Sequence, residues 1–167
     1  MQLFPNTTIK EFAQCEHAEF ITVQVHNDLA HGICIHDEDA KKWFLVLDAE
    51  DERLRHRLIL PERGREVKSF GSDWSISPIG PALSRHTAMD HPGALVQSRE
   101  GVFLVGVATG EFFDPVLCRL DEPGVWYNYG SALGSFAYEG WRIHYRERDT
   151  QAIQKLAAKE PTSNDAE

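Results

Sequence analysis

The sequence predicts an all-β domain, a barrel or folded sandwich, with short helices at its N- and C-terminal ends. Three observations carry this. In several short runs apolar side chains recur at every second position. In residues 19–26, for example, Ile21, Val23 and Val25 share one face while Thr22, Gln24 and His26 share the other. Turn-forming residues separate roughly nine or ten such runs, a spacing suited to barrels and sandwiches. Strand–helix–strand alternation is lacking, which argues against a doubly wound nucleotide-binding sheet.

The elements follow in order. Thr7 or Thr8 with Glu11, and Ile9, Phe12 and Ala13 at helical spacing, predict a short helix over residues 8–15. The strand at 19–26 leads into a second at 31–37, with Ile33 and Ile35 on one face. A three-residue loop, Asn27-Asp28-Leu29, sets Ile33 opposite Val23 and Ile35 opposite Ile21, which keeps both apolar sets on one side. Residues 43–47 are apolar on both faces and read as a central strand. Residues 53–60 alternate, with Leu54, His56, Leu58 and Leu60 inward and Arg53, Arg55 and Arg57 outward. Residues 61–81 are rich in turn formers, with strand-like pieces near Val67 and Trp74. Residues 84–93 read as a loop or a single helical turn. Two apolar arms, 94–98 and 102–108, flank Arg99-Glu100-Gly101 as a hairpin deep in the sheet. Strands follow at 116–120, 125–129 and 141–147. Asp149 or Thr150 then caps a helix through Ile153, Leu156 and Ala157, which Pro161 ends. The domain spans residues 1–160, and 161–167 form a disordered tail.

A chain of 167 residues, 42% hydrophobic and 26% charged, can bury one sizeable core. The net charge of −9 repels phosphate backbones and anionic lipid, so neither nucleic acid nor membrane is expected as a partner. No apolar run is long enough to span a bilayer, and the first residues lack the pattern of a secretory signal. Cys15, Cys34 and Cys118 fit neither a disulfide framework nor a zinc ribbon, so reduced, buried thiols in the cytoplasm are expected. A homo-oligomer is left open.

Glycine-rich phosphate loops, nucleophile elbows, paired-histidine protease motifs and calcium loops are missing. Imidazoles are the natural carriers of any chemistry, as ligands and as proton carriers near neutral pH. His26, His31 and His36 are evenly spaced, but His31 faces inward and the others outward, so one ion cannot collect all three. His31 and His56 sit among inward apolar residues. Each reads either as a core histidine bonded to the backbone or as a neutral base lining a cavity. His86, Asp90 and His91 share one loop. On a helical turn His86 and Asp90 would share a face and could hold a divalent ion with a third ligand, or Asp90 caps its own backbone. Trp126-Tyr127-Asn128-Tyr129 reads as core packing or as a pocket wall with hydroxyl donors. Arg53, Arg55 and Arg57 follow Asp48, Glu50, Asp51 and Glu52, which suggests a solvated charge network rather than an anion site. Cys34 and Cys118 have no activating neighbour in sequence.

Three segments carry a family resemblance: His91-Pro92-Gly93, then residues 102–108 (Val-Phe-Leu-Val-Gly-Val-Ala), then Pro123-Gly124-Val125-Trp126-Tyr127. Together they resemble ureidoglycolate lyase, a cupin-type barrel of similar length, and residues 8–13 are similar to its first helix. After Tyr127 the chain reads Asn128-Tyr129-Gly130, where that family has a tryptophan–histidine pair. The resemblance implies a cupin-like barrel, with His91 and Tyr127 as site residues.

Two functions are compatible with these features. One is a small-molecule enzyme, a lyase or hydrolase acting on a small polar carbon–nitrogen compound. In it His56 or His91 serves as base or ligand, Tyr127 orients the substrate, and a divalent metal at His86, Asp90 and His91 is an open cofactor. The other is a non-catalytic binding or protein-interaction module.

Overall fold

The computed structural model describes residues 7–83, 91–108, 114–126, 136–146 and 153–160. Among the described residues thirteen strands form one curled, mixed sheet, a half-barrel, so the all-β expectation stands. They are β1 Thr8–Glu11, β2 Phe20–Val25, β3 Asp28–His36, β4 Lys42–Asp48, β5 Arg57–Ile59, β6 Glu66–Ser69 and β7 Trp74–Leu83. The chain continues through β8 Leu95–Ser98, β9 Gly101–Ala108, β10 Pro115–Arg119, β11 Val125–Trp126, β12 Phe136–Arg146 and β13 Ile153–Lys159. Their spatial order is β1-β6-β2-β3-β4-β5-β9-β8-β12-β13, with β10 and β11 beyond β9 and β7 beside β12. Pairing among the described residues is antiparallel except between β5 and β9, which run parallel from Arg57 opposite Val107.

Alternation along the central strands feeds two apolar layers. Ile33, Ile35, Leu45 and Leu47 point to the main core with Phe20, Leu58, Leu104 and Trp141. Cys34, Phe44 and Val46, offset by one residue, join Ile21, Val23 and Ala30 on the opposite face. Both sides of β3 and β4 are therefore covered, as residues 43–47 predict. Each such fully buried side chain is worth about 1.5–3 kcal/mol before ordering costs. Two-sided burial also overturns the predicted register of the first hairpin. Val25 pairs with Asp28 across a two-residue turn, and Ile21 faces Gly32 rather than Ile35. Because both faces are buried, matching apolar sets no longer fixes the register. The turn does, through His26 at φ 55°, the left-handed backbone that such tight hairpins require.

The ends differ from expectation more sharply. Residues 8–11 form β1 on β6, leaving only a 3-10 turn, Phe12–Gln14, with a reciprocal Glu11–Gln14 cap. The C-terminal helix is instead β13, whose hydrogen bonds to β12 outweigh a weak helical pattern. Residues 53–60 are not one strand. Glu52–Leu54 is a 3-10 turn, His56 adopts φ 63°, and only Arg57–Ile59 pairs. Leu60, expected inward, is 53% exposed. Arg53 pairs with Asp51, and Arg55 with Asp48 and Glu52, the solvated network that the charge run suggests. In the deep hairpin Ser98 pairs directly with Gly101, so the loop shortens to Arg99-Glu100. Edge strand β7 carries Pro78 and Pro81, which cannot donate to a further strand. No helix among the described residues is long and apolar enough to cross a membrane.

Candidate functional site

His56 lies in the bend between the 3-10 turn and β5, with its own backbone built into the sheet. Its N–H donates to the Val46 carbonyl at 2.7 Å, and its carbonyl accepts from Val107 N–H at 2.8 Å. These two bonds tie β4 to β9 through a residue with left-handed backbone, a conformation costing a non-glycine side chain roughly 1–2 kcal/mol.

The ring is held equally firmly. Gly93 has φ 81°, and a Cβ there would lie 2.4 Å from His56 Cε1 and 2.5 Å from Nδ1. Only glycine lets the imidazole come this close. Gly93 is itself anchored, its N–H donating to Val105 at 2.6 Å and its carbonyl accepting from Trp141 Nε1 at 2.6 Å. His56 Nδ1 is buried and meets no hydrogen-bonding group among the described residues. Burial, then the Lys159 ammonium and the Arg55 guanidinium, lower its pKa to about 4, with Asp48 opposing. The imidazole is therefore neutral at pH 7.

The sequence motif His91-Pro92-Gly93 thus arrives at His56, two candidate segments that no spacing rule connects. His91 Nδ1 stands 3.9 Å from Glu139 Oε1, with the histidine side chain 37% exposed and the glutamate 13%. Glu139 belongs to β12. Its backbone carbonyl accepts from Lys159 Nζ at 3.0 Å, and burial lowers the Lys159 pKa against the pull of Glu139. His56, Gly93, His91, Glu139, Trp141 and Lys159 form one cluster drawn from four parts of the chain. Sequence reasoning misses Glu139 and Lys159. Glu139 sits on a strand beside a bulge between Tyr138 and Gly140, and the sequence pattern around Lys159 predicts a helix.

The other predicted site residues are placed differently. Tyr127, His86 and Asp90 lie outside the described residues, so only His91 of the predicted metal set can be located. Among the described residues no three His, Cys, Asp or Glu side chains converge as a metal site. His31 is half-buried and bonds through Nδ1 to the Thr22 side-chain Oγ1 at 2.8 Å across the β2–β3 pair, rather than to a backbone group. Cys118 is fully buried and its thiol is pushed up to about 12 by burial, while Cys34 is raised by its thiol neighbour Cys15 and by burial.

A histidine pair that no sequence spacing suggests lies at the end of β3. His17 and His36 stack edge to face at 5.6 Å, and His17 Nδ1 accepts from the His36 backbone N–H at 3.0 Å. His36 Nε2 lies 3.3 Å from the Cys15 carbonyl, and the His36 carbonyl accepts from Gly124 N–H at 2.8 Å. The pair clips the β10–β11 turn to β3 and reads as structural. Beyond it, a cleft of about 170 Å³ opens between Val23, Val25, Ile59, Leu60 and Pro61, rimmed by Gln24, His26, Glu62 and Arg65.

No family model, curated protein or solved structure matches the chain.

Proposed function

We propose that the protein is a small-molecule enzyme, a lyase or hydrolase for a small polar carbon–nitrogen compound, with His56 as its proton carrier. The observation behind this is the His56 ring: neutral, buried, lacking a described partner at Nδ1, and held against Gly93 by strained backbone. Buried polar groups are nearly always bonded, and strain of this kind persists where a site needs a fixed geometry. A substrate supplying an oxygen or nitrogen to Nδ1 would satisfy it. An anionic group on that substrate would offset the Lys159 charge and raise the basicity of His56 as binding occurs. His91, backed by Glu139, would serve as the second proton carrier, and Tyr127 would orient the substrate as in the cupin-type resemblance. The cytoplasm suits three buried free thiols.

The test is a panel of small amides, ureas and amidines assayed with the native protein and with His56→Ala and His91→Ala. Turnover should vanish in both variants while their circular dichroism stays native. Full activity in both overturns the reading.

A second reading, a non-catalytic binding module, draws on the apolar cleft beside the exposed Leu60. It requires an apolar fluorophore to bind the native protein and Leu60→Asp to abolish that binding. Unchanged fluorescence removes it.

A further inference from the structure

Lys159 is the one group of the cluster that proton transfer through His56 leaves unused. On β13 it pairs in register with Trp141 of β12, and residues opposite one another in an antiparallel pair project to the same face. The Trp141 indole on that face reaches the Gly93 carbonyl, and Gly93 carries the His56 ring. The register therefore places Lys159 on the face of β12 that carries Trp141, close enough to His56 for its charge to lower the imidazole pKa. Its Nζ is held at 3.0 Å by the uncharged backbone carbonyl of Glu139. Lys10, by contrast, is paired with the Glu19 carboxylate at 2.7 Å.

We propose that Lys159 is the nucleophile of this site and captures an aldehyde or ketone substrate as an imine, an inference that rests on reading the cluster as an enzyme site. Burial lowers the Lys159 pKa and so enlarges the share of neutral amine, the form that attacks, while the ammonium remains the charge that His56 senses. The Nζ lone pair forms a bond to the carbonyl carbon, and the C=O π pair moves to oxygen. His56 takes a proton from the new ammonium nitrogen and gives it to that oxygen, leaving a neutral carbinolamine. His56 then relays a proton from a solvent water to the hydroxyl, and the nitrogen lone pair expels it as water, leaving an iminium and a hydroxide. The iminium passes its N–H proton through His56 to that hydroxide, so amine and carbonyl yield imine and one net water with no redox change. Glu139 acts on the amine, and His56 feels the Lys159 charge together with Arg55 and Asp48, so proton relay and charge lie around the same ring. The substrate class is then a small carbonyl compound, and the carbon–nitrogen bond to be cleaved lies next to a carbonyl that the imine turns into an electron sink.

The experiment is reductive trapping. The full-length protein is treated at pH 7 with propanal and cyanoborohydride, and each lysine is followed by peptide mass spectrometry. Lys159 should acquire the propyl group several-fold faster than Lys41 and Lys68. His56→Ala should slow labelling at Lys159 alone, and Lys159→Met should remove the fast phase with the fold intact. Labelling of Lys159 no faster than of Lys41 overturns the proposal. If turnover of the substrate panel still depends on His56 in that case, the imine falls and the enzyme reading survives. If Lys159 labels selectively while His56→Ala keeps full turnover, His56 is not the proton carrier and the imine survives.

Discussion

The Trp141 indole N–H donates to the Gly93 carbonyl at 2.6 Å, so a fully buried tryptophan of β12 fixes the backbone on which the His56 ring rests. Replacing Trp141 by Phe removes that bond and leaves the carbonyl buried without its donor. The cost should be about 1–3 kcal/mol in urea denaturation, with a further loss where the smaller ring leaves space. Catalysis should fall as well, through looser placement of His56.

Gly93→Ala should be worse. The added methyl would sit 2.4 Å from the His56 ring on backbone at φ 81°. Strain of roughly 1–2 kcal/mol adds to the cost of displacing the ring, so a loss above about 2 kcal/mol is expected in the same denaturation assay.

Gly32→Ala tests the β3–β4 contact away from the site. A Cβ at Gly32 would lie 2.0 Å from the Leu45 carbonyl oxygen, and backbone cannot swing aside as a side chain can. The register shift between His31 and Gly32 should be lost, with a destabilisation among the largest single-site values, about 3 kcal/mol or more, and poor soluble yield.

Stability should fall with acid earlier than carboxylate protonation alone would give. His56 binds its proton near pH 4 when folded and near 6.5 when unfolded, so the unfolded chain takes up more protons between those values. Its contribution is complete above pH 6.5 and is lost as pH drops toward 4, on the order of 3 kcal/mol. His17, His31 and His36 are lowered too, chiefly by burial, and add with the same sign. Urea midpoints at pH 7.5 and pH 5 measure the slope, which should flatten in His56→Gln.

The thiols should be silent until the chain unfolds. Cys15, Cys34 and Cys118 are all 0% exposed, and burial raises Cys118 to about 12. A disulfide reagent at pH 7.5 should label none of them within minutes in native protein and all three in denaturant. Rapid native labelling would contradict the packing of β3 and β10.

Much of the sheet is legible in the sequence because its signal is local. Residues 43–47 are apolar on both faces, and that is how β4 is buried. Residues 94–108 announce their hairpin through glycine and flanking apolar arms. The terminal strands are not legible, because Ile153–Lys159 becomes a strand only when β12 offers it hydrogen bonds. Of the site, His56 can be nominated from residue type and inward placement, and His91 from its polar loop and the family resemblance. The approach of the His91-Pro92-Gly93 segment to His56 depends on Gly93 and on β5 lying beside β9, and Lys159 is invisible while its segment reads as helix.

The parallel seam between β5 and β9 has a consequence for how the molecule is made. Hairpins such as β2–β3 and β8–β9 can close as soon as their two arms emerge from the ribosome. The β5–β9 seam must wait until a long intervening loop is gathered in, an entropic barrier that slows folding. Since His56 immediately precedes that seam, competence should appear in the slowest kinetic phase of refolding, well after most secondary structure has formed.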